Sequence, residues 1–134
     1  MEWIDKSVLI AEDEDANFML LVEYLEPTGI QIIRACNGLE VLEIIKEKRP
    51  DIILMDMKMP KMSGNDAAKK IRELNISVPI IAQTAYAYLA DKEKMIESGC
   101  NDYIAKPIEE DALIEILKKH ISWTELTSGT CINI

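Results

Sequence analysis

The stretch Asp51-Ile-Ile-Leu-Met-Asp-Met-Lys-Met-Pro60 decides how this chain is read. Four apolar residues, Ile52 to Met55, run without polar alternation into Asp56, and Pro60 closes the segment four residues later. A continuous apolar run of this length fits a strand covered on both faces, as in a parallel sheet with helices above and below it. A carboxylate at the C-terminal end of such a strand stands where open α/β sheets bind their ligands. Taken alone, Asp56 is an ordinary strand-ending turn residue, so its meaning depends on what stands at the ends of the other strands.

Working outward, apolar runs and amphipathic segments alternate. Toward the N-terminus, Asn37-Gly-Leu-Glu40 sets an N-cap residue with an acid three positions on, a variant of the capping box. Val41, Leu42 and Ile45 give the helix that follows an inner face, up to Arg49-Pro50. Ile30 to Ala35 is a strand. Phe18, Leu21, Val22 and Leu25 recur at helical spacing to about Pro27, with Thr28-Gly29 as the stop. Ser7 to Ala11 is the first strand and runs into Glu12-Asp-Glu-Asp15. Toward the C-terminus, Ser63-Gly-Asn-Asp66 caps a helix with Ala67, Ile71 and Leu74 inside. Val78 to Thr84 is the fourth strand, Leu89 to Ser98 a weaker helix ended by Gly99, and Asn101 to Lys106 the fifth strand. Glu109 to Ile121 is a helix with Leu113, Ile116, Leu117 and Ile121 inside and acids at its start, where the helix dipole favours them. Strand and helix alternate five times, which predicts an α/β fold with a parallel sheet and right-handed crossovers. Residues 1–6 read as an N-terminal extension, 7–121 as one domain, and 122–134 as a loose C-terminal tail.

A chain of 134 residues is long enough for one domain to bury its own core. The formal charge of −9 leaves no basic stripe for nucleic acid and disfavours an anionic membrane surface. No apolar run reaches membrane-spanning length, and Met1-Glu-Trp-Ile-Asp-Lys6 lacks the basic-then-apolar order of a signal peptide. Cys36, Cys100 and Cys131 are odd in number and far apart, and read as free thiols of a reducing cytoplasm.

In a parallel sheet the strand C-termini share one edge. That edge collects Glu12 and Asp13 from the first strand, Asp56 from the third, Thr84 from the fourth and Lys106 from the fifth. In the doubly wound order 2-1-3-4-5 the first and third strands are neighbours at the switch point, where the crevice opens. Three carboxylates so close repel one another unless a positive group sits among them. A hard divalent cation such as Mg2+ does this with oxygen ligands, and Lys106 adds a fixed positive charge. A carboxylate, a metal, a lysine and a hydroxyl that converge are the parts of phosphoryl transfer, with the aspartate as nucleophile.

These motifs, in order, are Glu12-Asp13, Asp56 with Met-Lys-Met-Pro-Lys-Met-Ser-Gly64, Thr84-Ala85, Tyr103 and Lys106-Pro107. From about Lys6 to Ile121 the chain resembles the receiver domains of two-component signalling. The wording Gln-Thr-Ala-Tyr-Ala and Gly-Cys-Asn-Asp-Tyr-Ile-Ala-Lys-Pro looks most like receivers of hybrid sensor histidine kinases. The resemblance implies a flavodoxin-like (βα)5 fold and a bacterial phosphorelay protein in which Asp56 accepts phosphoryl from a phosphohistidine. It implies Mg2+, with Mn2+ as a substitute, held by Asp13, Asp56 and the Lys58 backbone carbonyl, with Glu12 acting through water. Lys106 would pair with the phosphoryl group, Thr84 would hydrogen-bond it, and Tyr103 would swing inward as Thr84 moves. Lys106-Pro107 would be cis. Lys58 and Tyr86, two residues beyond Asp56 and Thr84, would tune phosphoryl lifetime. The partner would be a histidine kinase or a histidine phosphotransfer protein, with a phosphorylation-dependent homodimer as a further form and no direct contact with nucleic acid or membrane. The place would be the cytoplasm, or the cytoplasmic side of a membrane-anchored hybrid kinase.

Two other readings stand beside this one. Asp13-Glu-Asp15 after the first strand imitates the nucleophile and acid of a haloacid-dehalogenase-type phosphatase, although the pattern starts a helix at once and the chain is short for a cap and core. A receiver-like module that binds partners without phosphorylation is the third. Asp13, Asp15 and Asn17 also open like an EF-hand loop, but Phe18 and Tyr24 stand where that loop needs Gly and Glu. His120, near a helix C-terminus, reads as structural. Trp3-Ile-Asp-Lys6 reads like the linker edge of a longer chain, with a stand-alone protein as the alternative. No output domain fits in the tail, so the output lies in a partner or elsewhere in a parent chain, which could itself carry histidine kinase activity.

Overall fold

The computed structural model describes residues 3–85 and 89–122. The strands are β1 (Ser7–Ala11), β2 (Gln31–Ala35), β3 (Ile52–Asp56), β4 (Ile80–Thr84) and β5 (Asp102–Ala105), and the helices are α1 (Asp15–Leu25), α2 (Gly38–Glu47), α3 (Gly64–Glu73), α4 (Leu89–Ser98) and α5 (Glu110–Leu117). All strands are parallel in the order β2-β1-β3-β4-β5. The parallel sheet is what the alternation of runs predicts, and the arrangement is the flavodoxin-like (βα)5 fold that the resemblance implies.

The sheet is a partition between two apolar layers, because successive side chains of a strand point to opposite faces. Val8, Ile10, Ile52, Leu54, Ile81 and Ile104 join Leu21 and Leu25 of α1 and Leu113 and Leu117 of α5. Leu9, Ile53, Met55, Ile80 and Ala82 join Val41 and Ile45 of α2, Ala67 and Ile71 of α3 and Met95 of α4. Every residue of β3 and β4 is buried, so neither strand has a solvent face to alternate with. Trp3, ahead of β1, is 4% exposed and belongs to the first layer, with its N–H donating to the Thr28 carbonyl at 2.7 Å.

Caps set where helices begin. The Asn37 side chain accepts from the Glu40 amide at 2.9 Å, and Glu40 reaches back to the Cys36 amide at 2.8 Å, so the box closes one residue earlier than its usual form. Ser63 accepts from the Asp66 amide at 3.2 Å. Two expectations are corrected at helix ends. Leu74 is 46% exposed, because α3 ends at Glu73 and the chain turns through Asn75 at φ 61° before Leu74 can face the core. The last helix is shorter than its pattern: α5 stops at Leu117 and a π-helical turn over Lys118–Ser122 carries Ile121 into the core. Tyr86, Cys131 and the expected tail from Trp123 lie outside the described residues.

The loop after β3 is held tightly. The Gly64 amide donates to the Met57 carbonyl at 3.2 Å, and a Cβ on Gly64 would collide with the Asp56 carbonyl oxygen. The start of α3 is thereby pressed against the end of β3. At the opposite edge of the sheet, Asp102 accepts from His120 at 3.0 Å and from Lys119 at 3.3 Å, so His120 is structural, as read. Burial works to raise the Asp102 pKa, but the hydrogen bonds from His120, the Tyr103 amide and Lys119 outweigh it and hold the carboxyl below its ordinary 3.8.

Gly64→Ala is expected to lose about 1–3 kcal/mol in urea denaturation, since backbone atoms cannot yield to the added methyl. Because the Asp102 pKa is lowered by folding, its contribution is complete above the unfolded value and lost as pH falls through the folded one. The stability gap between the parent protein and Asp102→Asn should therefore be widest near neutrality and close below pH 3.8.

Candidate functional site

Register brings the expected residues together. Ala11 lies opposite Met55, so Glu12 follows β1 beside Asp56. Asp56 lies opposite Gln83, and Thr84 opposite Ala105, which puts Lys106 next to Thr84. The Lys106 amide donates to the Thr84 carbonyl at 2.8 Å, extending the ladder by one bond. The Lys106–Pro107 peptide is cis.

Side chains complete the group. The Lys106 ammonium lies 2.9 Å from Asp56 Oδ2 and 3.5 Å from Glu12 Oε1. The other Asp56 oxygen, Oδ1, accepts the Lys58 amide at 3.0 Å. Glu12 is fully buried and accepts from the Asn17 side chain and, at 3.2 Å, from the Glu14 amide. Asp56 is 5% exposed, whereas Asp13 faces solvent. Glu12, Asp13 and Asp56 each present an oxygen within 4.8 Å of the others.

The electrostatics follow from this packing. Burial, with the Asp56 charge adding to it, pushes the Glu12 carboxyl up against the pull of its hydrogen bonds and of Lys106. For Lys106 burial disfavours the charged form, yet the hydrogen bond and charge of Asp56 and the charge of Glu12 prevail and raise its pKa. Within the ion-paired group three acids meet one ammonium, an excess of negative charge at a strand end that Asp13 opens to solvent. Clustered carboxylate oxygens with part of the set open to solvent suit a small hard cation that keeps some of its water. The residues present therefore fit Mg2+.

The cleft over this group measures about 590 Å³ and is lined by Asp13, Asp56, Lys58, Thr84 and Lys106, with Ser63 and Asn65 of the α3 start on its rim. Glu12 lies beneath it. Tyr103 stands apart: it is half-buried in the α4 layer, with the Lys92 ammonium 4.9 Å from its ring centre. Two participants were not foreseen. Asn17 holds Glu12 from the first turn of α1, and its polar type on the strand-end side of an otherwise apolar helix face was the available signal. Gln83 is fully buried beside Asp56, and its carboxamide finds no hydrogen-bond partner among the described residues. A strand pattern read for apolar content gives such a residue no role.

The family model for the response regulator receiver domain matches residues 8–118. The polar-differentiation response regulator DivK of Brucella anthropi is 41% identical over 119 residues, covering 87% of this chain and 96% of that one. The receiver domain of the sensor histidine kinase PA1611 from Pseudomonas aeruginosa, solved with a magnesium ion coordinated in its active-site cleft, superposes with a TM-score of 0.81 at 33% identity, over 87% of this chain and 98% of that chain. The complex of the Saccharomyces cerevisiae histidine phosphotransfer protein Ypd1 with the receiver domain of its downstream response regulator Ssk1 matches with a TM-score of 0.85 at 34% identity, over 89% of this chain and 90% of that chain. The phosphatase alternative finds no support in these relatives. Among the described residues no helix is long and apolar enough to cross a membrane.

Replacing Lys106 by Met should expose the repulsion between Glu12 and Asp56. The variant is expected to unfold at lower urea at neutral pH, by about 1–3 kcal/mol, since the lysine is partly solvated and the full cost of breaking a buried pair does not apply. Added Mg2+ should raise its urea midpoint more than that of the parent protein, through binding to the folded state alone.

Proposed function

The chain belongs to the response regulator receiver family of two-component systems, and we propose that Asp56 is its phosphoacceptor. Receiver domains bind Mg2+ and interact with histidine kinases or histidine phosphotransfer proteins. The observation that carries the assignment is the state of Asp56: a buried carboxylate, one oxygen on the Lys58 amide and the other 2.9 Å from the Lys106 ammonium, at the floor of an open cleft.

In this reading an Asp56 oxygen attacks the phosphorus of a partner phosphohistidine. The new P–O bond forms as the P–N bond breaks, and the imidazole nitrogen keeps the electron pair. Asp13, Asp56 and the Lys58 carbonyl would hold Mg2+, or Mn2+ in its place, with Glu12 acting through water; the metal supplies charge neutralisation at the transferring oxygens. Lys106 is already aimed at the reacting carboxylate and needs little movement to meet a phosphoryl oxygen. Thr84, at the lip of the cleft, has a hydroxyl to offer the same group. The raised pKa of Lys106 keeps its positive charge in place through the physiological range.

Tyr103 is assigned the switch role. Its ring now lies against Lys92 of α4, 4.9 Å from the ammonium, and an inward swing as Thr84 moves would break that contact. The surface formed by α4, β5 and α5 would change with it, for a partner protein or for a second copy of the chain. The further assignments are a cytoplasmic location, no direct binding of nucleic acid or membrane, and membership of a bacterial phosphorelay, with a hybrid kinase as one parent. Residues 1–6, 7–121 and 122–134 are assigned as extension, receiver and tail.

Incubation with Mg2+ and acetyl phosphate, followed by intact mass measurement, should add one phosphoryl group, and Asp56→Asn should abolish the gain. A gain that survives Asp56→Asn would defeat the assignment. Partner binding that beryllofluoride leaves unchanged would favour the phosphorylation-independent module.

A further inference from the structure

We propose that Arg34 of β2 is a positioning residue for the metal-binding loop, acting through the backbone of Glu12. The inference rests on the reading of Glu12, Asp13 and Asp56 as the Mg2+ site, and extends it to a residue outside the cleft.

Arg34 lies on the edge strand and reaches across the end of β1. Its Nε and Nη2 both donate to the Glu12 carbonyl, at 3.2 and 3.1 Å. Its Nη1 lies 2.9 Å from Asp15 Oδ1. Its guanidinium carbon sits 4.4 Å from the centre of the Phe18 ring. One planar group thus touches the residue just past β1, the first residue of α1 and a residue one turn into α1.

The Glu12 carbonyl matters because of the plane it belongs to. The Glu12 amide is fixed by the Ala35 carbonyl at 2.9 Å, the final bond of the β1–β2 ladder. The next peptide plane contains the Glu12 carbonyl and the Asp13 nitrogen and is rigid. Holding its oxygen therefore fixes the direction in which Asp13 leaves the strand. Asp13 is the solvent-facing member of the acidic group and is placed by its backbone more than by packing. Arg34 supplies that placement where the sheet ladder has ended.

The plain alternative is a surface ion pair between Arg34 and Asp15. Asp15 is 84% exposed, and such a pair contributes little alone. Two bonds to one carbonyl and a stacked ring are more than an ion pair needs. Lysine could keep the charge, but a point donor cannot make the fork.

The test uses the intact chain, with Mg2+ alone as probe, isothermal titration calorimetry for affinity and amide hydrogen exchange on the metal-free protein. Arg34→Lys isolates geometry from charge, and should bind Mg2+ about tenfold more weakly, as expected when a group that orients a ligand is lost. The Glu14 amide, which donates to the Glu12 side chain, should exchange faster in the same variant. Arg34→Gln removes a positive charge as well, which favours Mg2+, so its affinity should fall between Arg34→Lys and the parent protein. Phe18→Leu changes no charge and removes the ring, and should weaken Mg2+ about threefold; it keeps the proposal open to refutation if the Arg34 variants fold poorly. Parent-like affinity in both Arg34→Lys and Phe18→Leu, with tighter binding in Arg34→Gln, would mean that Arg34 acts only as a charge and would overturn the proposal. A parent protein that does not bind Mg2+, or an Asp13→Asn variant that binds it equally well, would instead overturn the site reading beneath it.

Discussion

One ammonium group between two buried carboxylates holds the working edge of this molecule together. Glu12 and Asp56 end adjacent strands of a sheet covered on both faces, where water is scarce and like charges are costly. Lys106 reaches both, and it can do so because β5 lies beside β4 and β4 beside β3. The same parallel order that buries the apolar runs therefore creates the electrostatic problem and delivers its partial solution. The neutralisation is incomplete, because Asp13 adds a third acid. A site left short of positive charge, and open on one side, is prepared for a cation and for an anionic substrate that brings more negative charge with the cation.

The strands were legible because burial on both faces leaves a mark in one dimension: Ile52 to Met55 and Ile80 to Ala82 are apolar without interruption. The strand-end residues were legible for a related reason. A parallel sheet sends all its C-termini to one edge, so topology alone predicts that Glu12, Asp13, Asp56, Thr84 and Lys106 converge. Helix ends were less legible. Leu74 fits the period of α3, but a left-handed residue at Asn75 ends the helix first, and periodicity carries no record of where the backbone turns away. Trp3 lies in a segment read as an extension, yet it fills the first apolar layer; one aromatic among polar neighbours has no period to betray it.

The supporting residues of the site were the least legible. Asn17 and Arg34 reach Glu12, and Gln83 lies opposite Asp56, only once the chain is folded: one across the start of a helix, one across an edge strand, one by lateral register. Each is a common residue type with an unremarkable position in the chain. What distinguishes Arg34 is a fork of donors meeting a carbonyl that lies just past the sheet ladder, and that relation exists only once β2 lies beside β1.

The sheet that separates the two apolar layers also separates their histories. Side chains of neighbouring strand residues such as Ile53 and Leu54 never meet, since they project into different layers. A lost methylene beneath α3 can be refilled from α2, α3 or α4, but not from α1 or α5. Compensating substitutions should then fall within a layer, and epistasis between layers should be weak. The exception is the strand-end edge, where Glu12, Asp56 and Lys106 tie three strands through charge, and where changes at one position should be felt at all the others. Among diverging descendants of this chain, two cores are free to drift separately while one small polar rim evolves as a block.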